Sequence, residues 1–152
     1  MLGVALALAG ECGIAAAAAP GQLVDLTVRV QESMTGMPAI PPRTMHRQAC
    51  MASTGHFDPH ALEQARKTND CHIEHYQRKG EVVTYDMICT KPEAVTSHGT
   101  FHVKSAADFT GTMHTRLTAA GHAISVTTDY TAKPVGSGKA TCTPPPAHPT
   151  TG

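Results

Sequence analysis

Hydrophobic and polar positions alternate with a period of two over most of this chain. In residues 97–117, Phe101 and Val103 fall on one side, and His98, Thr100, His102 and Lys104 on the other. After a short polar link, Phe109, Gly111, Met113, Thr115 and Leu117 alternate with Thr110, Thr112, His114 and Arg116. That pattern predicts a β-hairpin with one buried side, its His, Lys and Arg side chains facing water. Residues 21–33 give the cleanest single strand, with Val24, Leu26, Val28 and Val30 opposed to Asp25, Thr27, Arg29 and Gln31. Residues 43–51 read as a short second strand. Residues 71–91 predict another hairpin: Cys71, Ile73 and His75 share a side, the chain turns at Lys79-Gly80, and Val83, Tyr85, Met87 and Cys89 return on the matching side. Ile124, Val126, Thr128, Tyr130 and Ala132 mark a last strand over 122–133.

The interruptions are as informative. Residues 34–42 contain Pro38, Pro41 and Pro42, which remove backbone donors and bar a central strand. Met34, Met37 and Ile40 on this loop either fold back over the core or form an adaptable lip at a ligand opening. Residues 58–67 predict a helix, with Asp58 as N-cap, Pro59 in the first turn, and Arg66 and Lys67 at the negative end. It would lie on the sheet as a strap. From Gly136 the chain turns to Gly, Ser, Thr and Pro, and 143–152 is expected to be a disordered Pro-rich tail. The expected fold is mainly β: a curved antiparallel sheet with one short helix. The sheet is a meander, with a partly closed barrel or a sandwich as alternatives.

Residues 1–19 are small and apolar and read as a secretory signal peptide, leaving 20–142 as a single domain large enough for one core. The apolar run is too short and too interrupted by Glu11 to span a bilayer, so no transmembrane segment is expected in the mature chain. Lipidation at Cys12 is the lesser alternative, because Glu11 stands where a lipoprotein signal needs a small residue. Export predicts a periplasmic or secreted protein. Lys plus Arg is 12 and Asp plus Glu is 12, a formal net charge of zero that argues against nucleic acid as a partner. With three Phe, three Tyr and no Trp, an aromatic platform for sugars or bases is also disfavoured. Cys50, Cys71, Cys89 and Cys142 follow the leader, an even number that implies two disulfides in an oxidising compartment. We expect Cys50–Cys71 to clip the helical excursion and Cys89–Cys142 to pin the C-terminal segment. The competing scheme joins Cys71 to Cys89 across their hairpin, since the two are about equally far from Lys79-Gly80.

Several short motifs, in order, resemble a family of small exported bacterial proteins classed as domain of unknown function 3617. They are Pro20-Gly21 leading into a Val/Thr-rich strand, Gly36-Met37-Pro38, Cys50, Cys71, Val83-Thr84-Tyr85 ahead of Cys89, Gly99-Thr100, Phe109-Thr110-Gly111-Thr112-Met113, and the late Cys142. The resemblance covers most of the mature chain. It implies a periplasmic, β-rich, disulfide-bearing domain and implies no activity.

The candidate chemistry rests on histidine, of which there are ten. His98 and His102 share a strand face but lie about 13 Å apart, too far for one ion, so a metal site there would need a cross-strand partner such as His114. His72 and His75 have opposite strand parity and should not chelate together. No Ser lies in a Gly-x-Ser-x-Gly elbow and no carboxylate pair stands out, so no catalysis and no cofactor are expected. The sequence reading is therefore a non-enzymatic exported domain with a binding or envelope-associated role, its partner a small apolar ligand or an envelope protein. The alternative is a His-mediated copper or zinc binder.

Overall fold

The computed structural model describes residues 21–52 and 70–143. The predicted leader, the helix over 58–67 and all but the first residue of the tail lie outside the described residues. Within them the chain forms eight strands: β1 (Gly21–Met34), β2 (Arg43–Ala52), β3 (Cys71–Lys79), β4 (Val82–Cys89), β5 (Val95–Ser105), β6 (Asp108–Ala119), β7 (His122–Pro134) and β8 (Thr141–Cys142). All pairings are antiparallel. The sheet runs β2-β1-β7-β6-β5-β4-β3, with β8 beside the start of β1 where β7 has ended. It is one curved, unclosed sheet, so neither a closed barrel nor a sandwich forms. β3 to β7 are a meander, and β1 joins it by pairing with β7 from Val24↔Pro134 to Met34↔Ile124.

Period-two alternation builds this sheet because it places every apolar side chain of a strand on one side of the pleat. The register then aligns those side chains in rows across strands. One row reads Val103, Phe109, Ala132 and Leu26, and all four are buried. The next reads Val83, Phe101, Gly111, Tyr130 and Val28. The sheet curls around these rows, so residues of β1, β4, β5, β6 and β7 share one hydrophobic cluster on its inner face. Phe101 is the centre: its ring stacks on Tyr85 at 5.8 Å and meets Phe109 and Tyr130 at 6.3 and 5.9 Å. It can lie there because its cross-strand neighbour is Gly111, where an added Cβ would come within 2.1 Å of the ring. Glycine weakens a strand, and an aromatic ring laid over it restores the lost contact. The one fully buried polar side chain among the described residues, Ser97, shares a 2.8 Å hydrogen bond with Thr115.

The hairpins differ in how their turns are made. β6 and β7 meet at Ala120-Gly121, both with positive φ (49° and 78°), the two-residue I′ geometry whose twist suits a hairpin. In the β5–β6 turn, Ser105 Oγ accepts from the backbone N–H groups of Ala107 and Asp108. β3 and β4 turn at Gly80-Glu81, within one residue of the expected place. Their ladder then slips by one: Gln77 faces Thr84, but Glu74 faces Asp86, so His75 and Tyr76 together oppose Tyr85. This is a β-bulge, with His75 at φ 50°.

The bulge corrects two sequence expectations. His75 does not share the side of Cys71 and Ile73; the extra residue turns it to the outer face. The disulfides are also not Cys50–Cys71 and Cys89–Cys142. They are Cys50–Cys142, with Cα atoms 5.8 Å apart, and Cys71–Cys89, at 4.0 Å. An unbroken count back from Lys79↔Val82 would set Cys71 opposite Thr90, and the one-residue slip sets it opposite Cys89 instead. Cys50 could not reach Cys71 as a local clip because β2 and β3 are the two opposite ends of the sheet. Cys142, on β8, and Cys50, on β2, flank β1, and their bridge ties the two sides of that strand together.

Candidate functional site

Two surfaces could carry function: the outer face, where histidines collect, and the part of the inner face that the core leaves half-exposed. On the outer face the register forms another row, Glu74, Asp86, His98, His114 and Thr127. Asp86 is its hub. His98 Nδ1 donates to Asp86 Oδ1 at 2.6 Å, and His75 Nδ1, delivered by the bulge, donates to Asp86 Oδ2 at 2.9 Å. The hydrogen bond from His98, supported by that from His75, holds the Asp86 carboxyl below its usual range against a partial desolvation that opposes it. Next to this hub His72 Nε2 bonds Glu74 at 2.9 Å, and His114 Nδ1 is hydrogen-bonded to Thr127 at 3.2 Å.

The three histidines singled out from the sequence are only partly brought together. His98 and His114 stand directly opposite each other on β5 and β6. His102 is opposite Thr110 and Val82, and belongs to a different recess that also involves Thr100, Thr112, Asp129 and Thr131. Among the described residues no group of three His, Cys, Asp or Glu side chains is placed to hold a metal ion. Sequence reading missed Asp86 and misassigned His75, the two residues that give the row its organisation. Asp86 could have been found from the parity of β4, because it lies between inward Tyr85 and Met87. The bulge at His75 leaves no trace in an alternation pattern that stays regular on both sides of it.

The inner face is packed at one corner and looser at the other. Val83, Tyr85, Met87, Phe101, Val103 and Phe109 are buried. Toward the far ends of β1, β6 and β7, Val30, Met113, Leu117, Ile124 and Val126 are only partly covered, and Met34 closes their row. These six side chains form a largely apolar strip on the curved side of the sheet, which they share with Thr115, Thr128 and Glu32. A family model described as a protein of unknown function, DUF3617, matches residues 19–142. The chain belongs to the DUF3617 family. Within this DUF3617 chain, the matched segment begins just before β1 and ends at Cys142 on β8, so both disulfides, the strip and the histidine row fall inside it. No curated protein and no solved structure matched the DUF3617 chain.

Proposed function

We propose that this domain is exported to an oxidising compartment, the periplasm or the cell exterior, and binds a small apolar ligand on its inner face without catalysing a reaction. The observation that carries this reading is the uneven packing of that face. A sheet built only for stability would cover its inner rows evenly, because each partly exposed Leu, Ile or Val forgoes part of the ~1.5–3 kcal/mol its full burial contributes. Here the rows at the β1, β6 and β7 ends leave Val30, Leu117, Ile124 and Val126 incompletely buried on the curved side of the sheet, a setting in which apolar ligands are held. The two disulfides support export, since such bridges persist outside the reducing cytosol. The lining is mainly hydrocarbon and thioether, and it shares its face with the Ser97–Thr115 hydroxyl pair, Thr128 and the exposed Glu32 at the strip's edge.

The test is mass spectrometry of organic extracts from natively purified protein, beside Leu117→Glu. The expected result is a co-purifying apolar compound in the parent and its loss in the variant, with the fold intact by circular dichroism. Empty extracts, together with no displaceable binding of a fluorescent fatty-acid probe, would overturn the reading.

A further inference from the structure

The outer face carries a second recess, on the side of the sheet away from the apolar strip, and its chemistry is independent of the role proposed above. Thr96 and His98 on β5 stand directly opposite Arg116 and His114 on β6, so four polar side chains form a two-by-two array. They line a recess of ≈ 340 Å³. We infer that this array binds a tetrahedral oxyanion, with Arg116 as its fixed charge and the two imidazoles as proton-dependent donors. Arg116 is exposed and enters no ion pair among the described residues, which leaves its planar fork of N–H donors for a ligand. Thr96 adds a hydroxyl.

The two histidines are held by their Nδ1 atoms, His98 on Asp86 and His114 on Thr127, so each keeps Nε2 for a ligand. On His98 the carboxylate fixes the proton on Nδ1, so Nε2 becomes a donor only when the ring takes up a second proton. Anion binding at this array is therefore coupled to proton uptake. The groups facing the array are few. From β4, Asp86 meets His98 and also holds His75 of β3; Glu74 of β3, opposite Asp86, is bonded to His72. From β7, Thr127 meets His114 and Ser125 faces Arg116, while the nearest carboxylate of β7, Asp129, accepts from Thr112. Asp86 is thus the one acidic group at the array, and both of its oxygens are engaged by imidazoles.

A metal cation would meet the same Nε2 atoms with the opposite pH dependence. It is disfavoured here because Arg116 stands one residue pair away, about 6–7 Å along the strand, and no third ligand converges. The test follows the imidazole signals of His98 and His114 by NMR in the full chain. Sodium sulfate is titrated against sodium chloride at matched ionic strength, at about pH 5.5 and about pH 8. Sulfate keeps its charge across that range. The expected result is a saturable shift at the lower pH that weakens about tenfold at the higher, and that weakens about tenfold in Arg116→Gln. Arg116 is exposed, so this variant should keep the parent amide spectrum. The inference is overturned by any of three outcomes: no saturable response at the lower pH, an unchanged response in Arg116→Gln, or zinc chloride moving the same signals more strongly at the higher pH.

Discussion

The β3–β4 and β6–β7 hairpins are built from the same alternation, yet they obey it differently. In β6–β7 the register runs without a break from Phe109↔Ala132 to Ala119↔His122, and every residue faces the side its parity predicts. In β3–β4 one extra residue at His75 breaks the ladder. That single residue sets Cys71 opposite Cys89, sends His75 to the outer face, and gives Asp86 its second imidazole. A bulge leaves the alternation of the strand segments on either side intact and changes their alignment. Much of the chemical organisation of the outer face therefore depends on a slip, and the regular hairpin contributes mainly scaffold.

The comparison can be broken most severely at the bridge that the slip creates. Cys71→Ala with Cys89→Ala opens a loop with a sequence separation of 18. We expect a loss of about 3 kcal/mol in urea unfolding, read as a lower midpoint with little change in slope. A loss below about 1 kcal/mol would mean that the β4–β5 pairing alone holds β4 in place. In the regular hairpin the corresponding weak point is steric. Gly111→Ala puts a methyl group against the Phe101 ring, and the ring cannot move freely between Tyr85 and Tyr130. The expected cost is about 1–3 kcal/mol, and Phe101→Leu in the same chain should recover part of it.

The two hairpins also show what the sequence could reveal. Strands β1, β4, β5, β6 and β7 were legible because burial of one face leaves a period-two record, and Phe101, Val103 and Phe109 lie where that record puts them; the strand expected over 43–51 is present as β2, although it is exposed along most of its length and carries no such record. The His98–His114 pair was legible for the same reason, since the β5–β6 turn falls midway between them. Two kinds of fact were not legible. The bulge has no compositional mark, because His75 is an ordinary polar residue held at φ 50° by the ladder around it. The Cys50–Cys142 bridge depended on sheet order, which local alternation does not encode, whereas Cys71–Cys89 is the competing scheme that the hairpin offered. Joining Cys50 to Cys71 looked economical along the chain, but β1, β7, β6, β5 and β4 stand between their strands.

A smaller effect sharpens the comparison from the regular side. Ala120 occupies a left-handed position in the β6–β7 turn, and that conformation costs a non-glycine residue roughly 1 kcal/mol. Asn is preferred there, so Ala120→Asn should stabilise by about 0.5–1 kcal/mol, visible as a rise of a few degrees in melting temperature. His75→Gly relieves the same kind of strain in the bulge, but it also removes a hydrogen bond to Asp86, so its net effect should be closer to zero. If both substitutions stabilise equally, the His75–Asp86 contact contributes nothing.

The smallest expected effect concerns Asp86 itself, where the slip and the regular β4–β5 register meet. Hydrogen bonds from His98 and then His75 lower the Asp86 pKa in the folded chain. A carboxyl with a depressed folded pKa adds stability that is fully present above its unfolded value, about 3.9, and that disappears as pH falls through the folded value. The parent should therefore exceed Asp86→Asn in stability near neutrality, and the gap should close below about pH 4. The side chain is 28% exposed, so solvent screening keeps the gap under about 1 kcal/mol. Denaturant midpoints for both proteins between about pH 3 and pH 7 would measure it. Adding His75→Gly then divides the contribution. If the bulge merely accommodates an extra residue, the pH-dependent gap survives nearly intact, carried by His98 through the regular ladder. If the slip is what organises the outer face, the gap shrinks when His75 goes.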